Sequence, residues 1–218
     1  MPSLPTPAHL RRVWEALDTL PDPTEQRPWP ILVSGCMMAW GCGIDGSSYG
    51  MERALDKLKG LQNISWVPVC PEHMAFGTPR RMPDLHEGDG HAAIEGRAKF
   101  LFDDGQDGTV EILAAAAQAL ELAQREGVVL AVLTDMSAAC GSQVISLGAR
   151  DATPRRFQRG MGVMAATLDR AGVPVMSQRD HRTMQRLLSR LIPGFEGDPE
   201  ALDHHQHPWT VATFGADV

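Results

Sequence analysis

Ile31-Leu32-Val33-Ser34-Gly35-Cys36-Met37-Met38-Ala39-Trp40-Gly41-Cys42-Gly43-Ile44-Asp45-Gly46 is the stretch around which the chain is organised. Ile31 to Val33 is a short aliphatic, β-branched run of the kind that forms a buried strand, and the glycines after it require a tight loop. In an open α/β sheet, chemistry gathers just past the carboxyl ends of the strands. Cys36 and Cys42 fall there.

Working outward, the same sentence repeats. Ile64 to Val69 reads as a second strand running into Cys70-Pro71-Glu72, and Val128 to Leu133 as a third, running into Thr134-Asp135-Met136-Ser137-Ala138-Ala139-Cys140-Gly141. Between the strands lie helical patterns. Residues 50–60 carry Met51, Leu55 and Leu58 with Gly60 as a stop. Residues 109–126 are Ala-rich, with Leu113, Ala117 and Leu120 expected inward and Gly127 as the C′ residue. Residues 160–171 suit a helix ended by Gly172, Val173 to Met176 a short strand, and residues 180–192 a last helix burying Met184, Leu187, Leu188 and Leu191. This alternation predicts a three-layer, Rossmann-like α/β fold with a mainly parallel sheet and helices on both faces.

Three segments lie outside the alternation. Residues 1–29 read as an N-terminal helical extension, capped by Thr6 with Pro7 in the first turn, and striped by Leu10, Val13, Trp14, Leu17 and Leu20. Residues 76–108 show no periodicity and are expected to be a long irregular connection. Residues 195–218 form a polar, His-containing tail, expected to be only partly ordered. The main domain is thus residues 30–194.

Composition narrows the function. A 218-residue chain that is 43% hydrophobic and 22% charged is an ordinary globular domain. Its net charge of −7 argues against general affinity for nucleic acid or anionic membrane. No apolar run reaches membrane-spanning length and no secretory signature opens the chain, so a cytoplasmic location is expected. In that reducing compartment the four cysteines are expected to be free, catalytic or metal-bound rather than disulfide-paired.

Cys36, Cys70 and Cys140 each lie at or shortly after a strand end, so a parallel sheet brings them to one edge. Clustered thiolates suit zinc, copper(I) or an iron–sulfur cluster. Equally, free cysteines at strand ends often serve as small buried hydrophobes. Pattern alone leaves both readings open.

The ordered set of motifs resembles the thiouracil desulfurase (desulfidase) family, long known only as a domain of unknown function. Leu32-Val33-Ser34-Gly35-Cys36 with Cys42 and Asp45-Gly46 is similar to its opening motif. Val67-Pro68-Val69-Cys70-Pro71-Glu72 and Gly77-Thr78-Pro79-Arg80 resemble its second block, and Ser137, Cys140 and Gly141 its third. Gly160 to Val175 resembles the segment that follows, so the likeness covers roughly residues 30–177. The resemblance implies a [4Fe–4S] cluster held by Cys36, Cys70 and Cys140, with one iron not ligated by protein and free to bind the sulfur of a thiocarbonyl. It implies Glu72 as general acid/base, Cys42 as a non-ligand thiol relaying protons, and Ser137 as a hydrogen-bond partner for substrate or water. The family usually carries an Arg-Tyr pair at Gly43-Ile44, a lysine at Thr134, and Ser-Pro-Ser at Ser137-Ala138-Ala139. The departures touch the substrate pocket rather than the cluster ligands.

The resemblance thus implies hydrolytic, non-redox desulfuration of a small thiolated pyrimidine such as 2-thiouracil, with no DNA or membrane partner. Desulfuration of thiolated tRNA bases is the first alternative, and a non-catalytic zinc or iron–sulfur structural or sensor protein the second. Other residues have plainer readings. Glu72 after Pro71 suits a helix start, and Arg80 and Arg81 either meet substrate or solvate a loop. Arg182, Arg186 and Arg190 form a basic stripe that reads as a solvated face, with tRNA contact the minority reading. His204, His205 and His207 read as part of a flexible tail rather than a metal site.

Overall fold

The computed structural model describes residues 4–148 and 153–215. In chain order the elements are α1 (Ala8–Thr19), β1 (Trp29–Ser34), β2 (Ile64–Val69), α2 (Pro71–Phe76), β3 (Pro83–His86), α3 (Gly90–Ile94) and β4 (Lys99–Phe102). They continue with α4 (Thr109–Arg125), β5 (Leu130–Leu133), β6 (Val144–Ser146), β7 (Phe157–Arg159), α5 (Val163–Arg170), β8 (Val175–Ser177), α6 (His181–Leu191) and α7 (Pro208–Phe214). Short 3-10 turns occupy Gly35–Met38, Met51–Leu55 and His204–Gln206.

Four strands form one parallel sheet in the order β2-β1-β5-β8. Successive strand residues point to opposite faces, and both faces are buried. Leu32, Ala131, Leu133 and Val175 join a core with residues of α3, α4 and α5. Ile31, Val33, Leu130, Val132 and Met176 join a second core with α1, α6, Leu55 and Leu58. This is the α/β sandwich the alternation predicts. β1 pairs with β2 on one side and β5 on the other, so the chain's path across the sheet reverses at β1. A crevice opens at the carboxyl end of the strands where that happens.

Several local expectations change. Pro7 rather than Thr6 is the N-cap of α1, and no side chain caps it. Residues 50–60 hold a single 3-10 turn and bends instead of a helix. In α4 the buried stripe is Ile112, Ala115, Ala116, Ala119 and Ala123, while Ala117 is exposed. Leu113 and Leu120 pack against the edge of the core that α4 shares with α3 and α5, as expected, and only Ala117 points the other way. The connection expected to be irregular contains the antiparallel hairpin β3–β4, with α3 between its strands. The tail is folded as well. His204 and His205 are buried and α7 follows them.

Candidate active site

All four cysteines are unbridged and line one cavity of about 160 Å³, together with Ser34, Thr134, Ser137, Glu72 and Arg80. Each arrives by a short path from the sheet. Cys36 sits in the 3-10 turn after β1. Cys70 is the N-cap of α2, with Pro71 at the first helical position where its missing N–H costs nothing. Cys140 closes a turn after β5 in which the Ser137 hydroxyl oxygen accepts the N–H groups of Ala139 (3.3 Å) and Cys140 (3.2 Å). That turn is clamped from behind by the start of α5. Gly162, Val163 and Met164 donate their N–H groups to the carbonyls of Gly141, Ala138 and Ala139. A Cβ on Gly162 would lie 2.5 Å from the Ala139 carbonyl carbon, so only glycine permits this approach.

The thiols are not equivalent. The Cys42 thiol lies between Cys36 and Cys70, close enough to shift the charge of both. Cys36 is drawn down to about 7 by Cys42 first, burial opposing, and then by the Thr134 hydroxyl, whose oxygen is 3.1 Å from Cys36 Sγ. Cys70 is lowered, again chiefly by Cys42. Cys42 itself is pushed up by the same two neighbours and by burial, and Cys140 is pushed up by burial first. Thr134, at the position where a lysine is common in the family that the sequence resembles, therefore supplies a hydroxyl against a sulfur instead of a cation.

Glu72 is buried beside this group and pairs with Arg80, Nη2 to Oε2 at 2.5 Å, the arginine side chain being 4% exposed. The other terminal nitrogen of Arg80, Nη1, donates to the carbonyls of Cys42 (2.9 Å) and Gly77 (3.2 Å) and to the Thr78 hydroxyl (3.1 Å). One guanidinium thus ties the acid to the loop bearing Cys42, a geometry its planar fork allows and a lysine could not copy. Burial opposes the arginine's charge, but Glu72 more than offsets this and its pKa is raised. This role was not foreseen from sequence, although Gly77-Thr78-Pro79-Arg80 marked the place. The other nearby acid of that loop, Asp45, is turned outward and accepts from the Ser47 N–H.

The opposite wall is fixed by contacts within the loop. Tyr49, the chain's single tyrosine, lines the cavity mouth, and its hydroxyl accepts the Ile44 N–H at 2.7 Å. A Cβ on Gly43 would meet the Tyr49 ring at 2.6 Å. The departure to glycine at residue 43 is therefore what lets this ring lie over the loop. Met136 lines the cavity in a left-handed conformation, φ 62°, unusual for a side-chain-bearing residue and typical of functional loops.

Behind the cavity wall the Thr134–Val144 loop is organised by Asp135. Its Oδ1 accepts the N–H groups of Met136 (3.0 Å) and Ser142 (3.1 Å), and its Oδ2 lies 2.6 Å from Nδ1 of His204. His204 comes from the tail, and its ring stacks on Trp209. Neither residue was singled out correctly from sequence, since the tail histidines read as loosely held.

The sequence model of the 2-thiouracil desulfurase family matches residues 31–180, from β1 to the edge of α6. The chain belongs to this family. A relative in Bacillus subtilis (strain 168), the uncharacterised protein YbbK, is 32% identical over 151 residues, spanning 69% of this chain and 96% of that protein. The solved structure of the [4Fe-4S]-dependent thiouracil desulfidase TudS superposes with a TM-score of 0.57 at 28% identity, over 74% of this chain and 98% of that one. The family match ends at residue 180, so α1, α6 and the His204 segment lie outside it. Among the described residues no helix is long and apolar enough to cross a membrane.

Proposed function

We propose that the chain is a cytoplasmic iron–sulfur desulfidase that hydrolyses 2-thiouracil, or a closely similar thiolated pyrimidine, to the oxo base and sulfide. The observation that carries this reading is the convergence of four unbridged cysteines and the buried Glu72–Arg80 pair on one cavity at the point where the sheet's strand order reverses. Soft thiol donors suit iron–sulfur chemistry. Among the described residues no three His, Cys, Asp or Glu side chains are placed to hold one metal ion. A cubane, whose irons sit at separate corners, instead takes thiolates that arrive from separate strands, as Cys36, Cys70 and Cys140 do. Held by these three, a cluster would keep one iron without a protein ligand, and Cys42 would stay outside it as a free thiol.

Such a cluster, when bound, supplies a thiophilic Lewis acid that polarises an exocyclic C=S bond. The chain's own groups do the rest. The Glu72 carboxylate accepts a proton from the attacking water, and Arg80 fixes the carboxylate's direction. The Cys42 thiol, beside Cys36 and Cys70, passes a proton toward the departing sulfur. Ser137, whose oxygen already accepts two N–H groups, still has its hydroxyl proton to donate to substrate. The atoms balance without an electron donor: water's oxygen becomes the carbonyl oxygen, and its two protons leave with sulfur.

The basic stripe that could have met tRNA is engaged within the chain. Arg186 pairs with Asp18, Arg190 with Asp22, and Arg182 donates to the Ala201 carbonyl. This favours a free base over a base within RNA. Anaerobic reconstitution tests the reading. Brown protein with about four irons and four sulfides per chain that releases uracil from 2-thiouracil is the expected result, and colourless protein holding one zinc would overturn it.

A further inference from the structure

A second cavity, of about 270 Å³, lies on the far side of the Thr134–Val144 loop from the cysteines. It is built jointly by α1 (Pro7, His9), the β6–β7 hairpin with the residues leading into it (Ser142, Val144, Arg159), and the tail (His205, Thr210). His9, His205 and Thr210 all fall outside the segment shared with the family, so the cavity is a feature of this chain's own extensions.

Much of its lining is apolar, with Pro7, Val144 and Met161 in the wall, but its buried polar groups are largely unsatisfied. Among the described residues, both ring nitrogens of His205, Nε2 of His9, the hydroxyls of Ser142 and Thr210, and Nε of Arg159 have no hydrogen-bond partner. His205 is 3% exposed, Ser142 1% and Thr210 2%. Buried polar groups are normally bonded, and leaving one unmet is costly. Several on one cavity mark a site that binds something polar.

The donors decide what. Arg159 is held by its Nη2 bond to the Gly215 carbonyl (2.7 Å) and by packing on the Phe214 ring. With the two hydroxyls and an N–H from each imidazole, the wall is rich in donors and carries a fixed positive charge. The one carboxylate in the lining, Asp89, accepts the N–H groups of Ala92 and Met161. Arg159 and Arg182 add to the positive field around His205, while Asp169 and Asp135 act in the opposite direction on His9. We propose that this cavity binds a small oxyanion of the size of phosphate or sulfate. A hydrogenphosphate would accept from Ser142, Thr210 and Arg159 and donate its proton to an imidazole nitrogen or to Gln143 Oε1, the one unpartnered amide oxygen in the lining. Its bonds would join α1 and the tail to the loop that carries Cys140.

The test is thermal unfolding of the full-length, cluster-loaded protein, titrated with phosphate or sulfate against chloride at constant ionic strength. Both oxyanions stabilise proteins generally by exclusion from the surface, so the variant comparison decides. For wild type the melting temperature should rise at millimolar phosphate and follow a one-site binding curve. The double variant Ser142→Ala/Thr210→Val should bind roughly tenfold or more weakly, because two hydrogen bonds to an anion are lost. His205→Gln should also weaken binding, and it serves if the double variant does not fold. No rise in wild type at millimolar phosphate, or equal rises in wild type and the variants, would overturn the proposal. Because the readout is melting, it stands or falls separately from desulfidase activity.

Discussion

The Thr134–Val144 loop has a different buried polar region on each side. On one side Cys36, Cys42, Cys70 and Cys140 make few contacts with other groups, Cys36 Sγ lying 3.1 Å from the Thr134 hydroxyl and Cys70 Sγ 3.9 Å from the Cys42 carbonyl. On the other, Asp135 and Asp180 are saturated, although the second cavity beside them keeps unpartnered groups. Asp180 accepts from Ser177, Gln143 and the His204 N–H, and Asp135 from the loop's N–H groups and His204. Groups that keep bonding capacity can do chemistry, whereas groups that have spent it hold the scaffold. The first side is assembled by the sheet, because each cysteine follows a strand closely. The second is assembled by segments distant in sequence.

The thiol side should give the largest effects. Cys36→Ala, Cys70→Ala and Cys140→Ala should each lose or damage the cluster's visible absorption and abolish turnover. Cys42→Ala should keep the spectrum while losing most activity. If Cys42→Ala bleaches the protein as the others do, the division between ligands and proton carrier is wrong.

Glu72→Gln comes next. Glutamine retains an oxygen for Arg80 but cannot exchange protons at neutral pH, so turnover should drop about a hundredfold or more with the cluster retained. A rate near wild type would reduce Glu72 to a partner of Arg80.

The saturated side should respond in stability. Burial first, then Asp203 and Asp135, raises Asp180 to about 8. Folded protein therefore binds more protons here than unfolded protein between the ordinary carboxylate range and pH 8, and stability contributed by this group falls as pH rises. Burial lowers His9 and His205 to about 4, so their contribution rises with pH only up to about 6.5. Denaturant melts of cluster-loaded protein should show stability declining from pH 6.5 to 8, and Asp180→Asn should remove most of that decline. An unchanged slope would mean that Asp180 is ionised throughout.

The smallest effect belongs to the surface that docks α1. Arg186→Ala removes the pair with Asp18 and the contact over the Trp14 ring, both exposed, and should cost only about 0.5–1 kcal/mol with desulfuration unchanged. A loss of activity would mean that this face meets the substrate.

The same contrast explains what was legible in the sequence. Cys36, Cys70 and Cys140 could be grouped because a strand end is a local signal and a parallel sheet converts it into proximity. The parallel α/β architecture followed from the same alternation. Arg80 escaped because its meaning depends on folding back onto Glu72 and the Cys42 carbonyl. His204 escaped because a polar, His-bearing tail looks solvated until Asp135, far away in sequence, is brought against it. The β3–β4 hairpin escaped because its strands are short and separated by a helix rather than by a tight turn.

The central claim is that water replaces sulfur at the cysteine-lined cavity without net redox chemistry. Turnover of 2-thiouracil by reconstituted protein in ¹⁸O-labelled water, with no added reductant, tests it most directly. The account predicts uracil and sulfide in equal amounts and one ¹⁸O in each uracil, read by mass spectrometry. Unlabelled uracil, or turnover only when an electron donor is supplied, would contradict it.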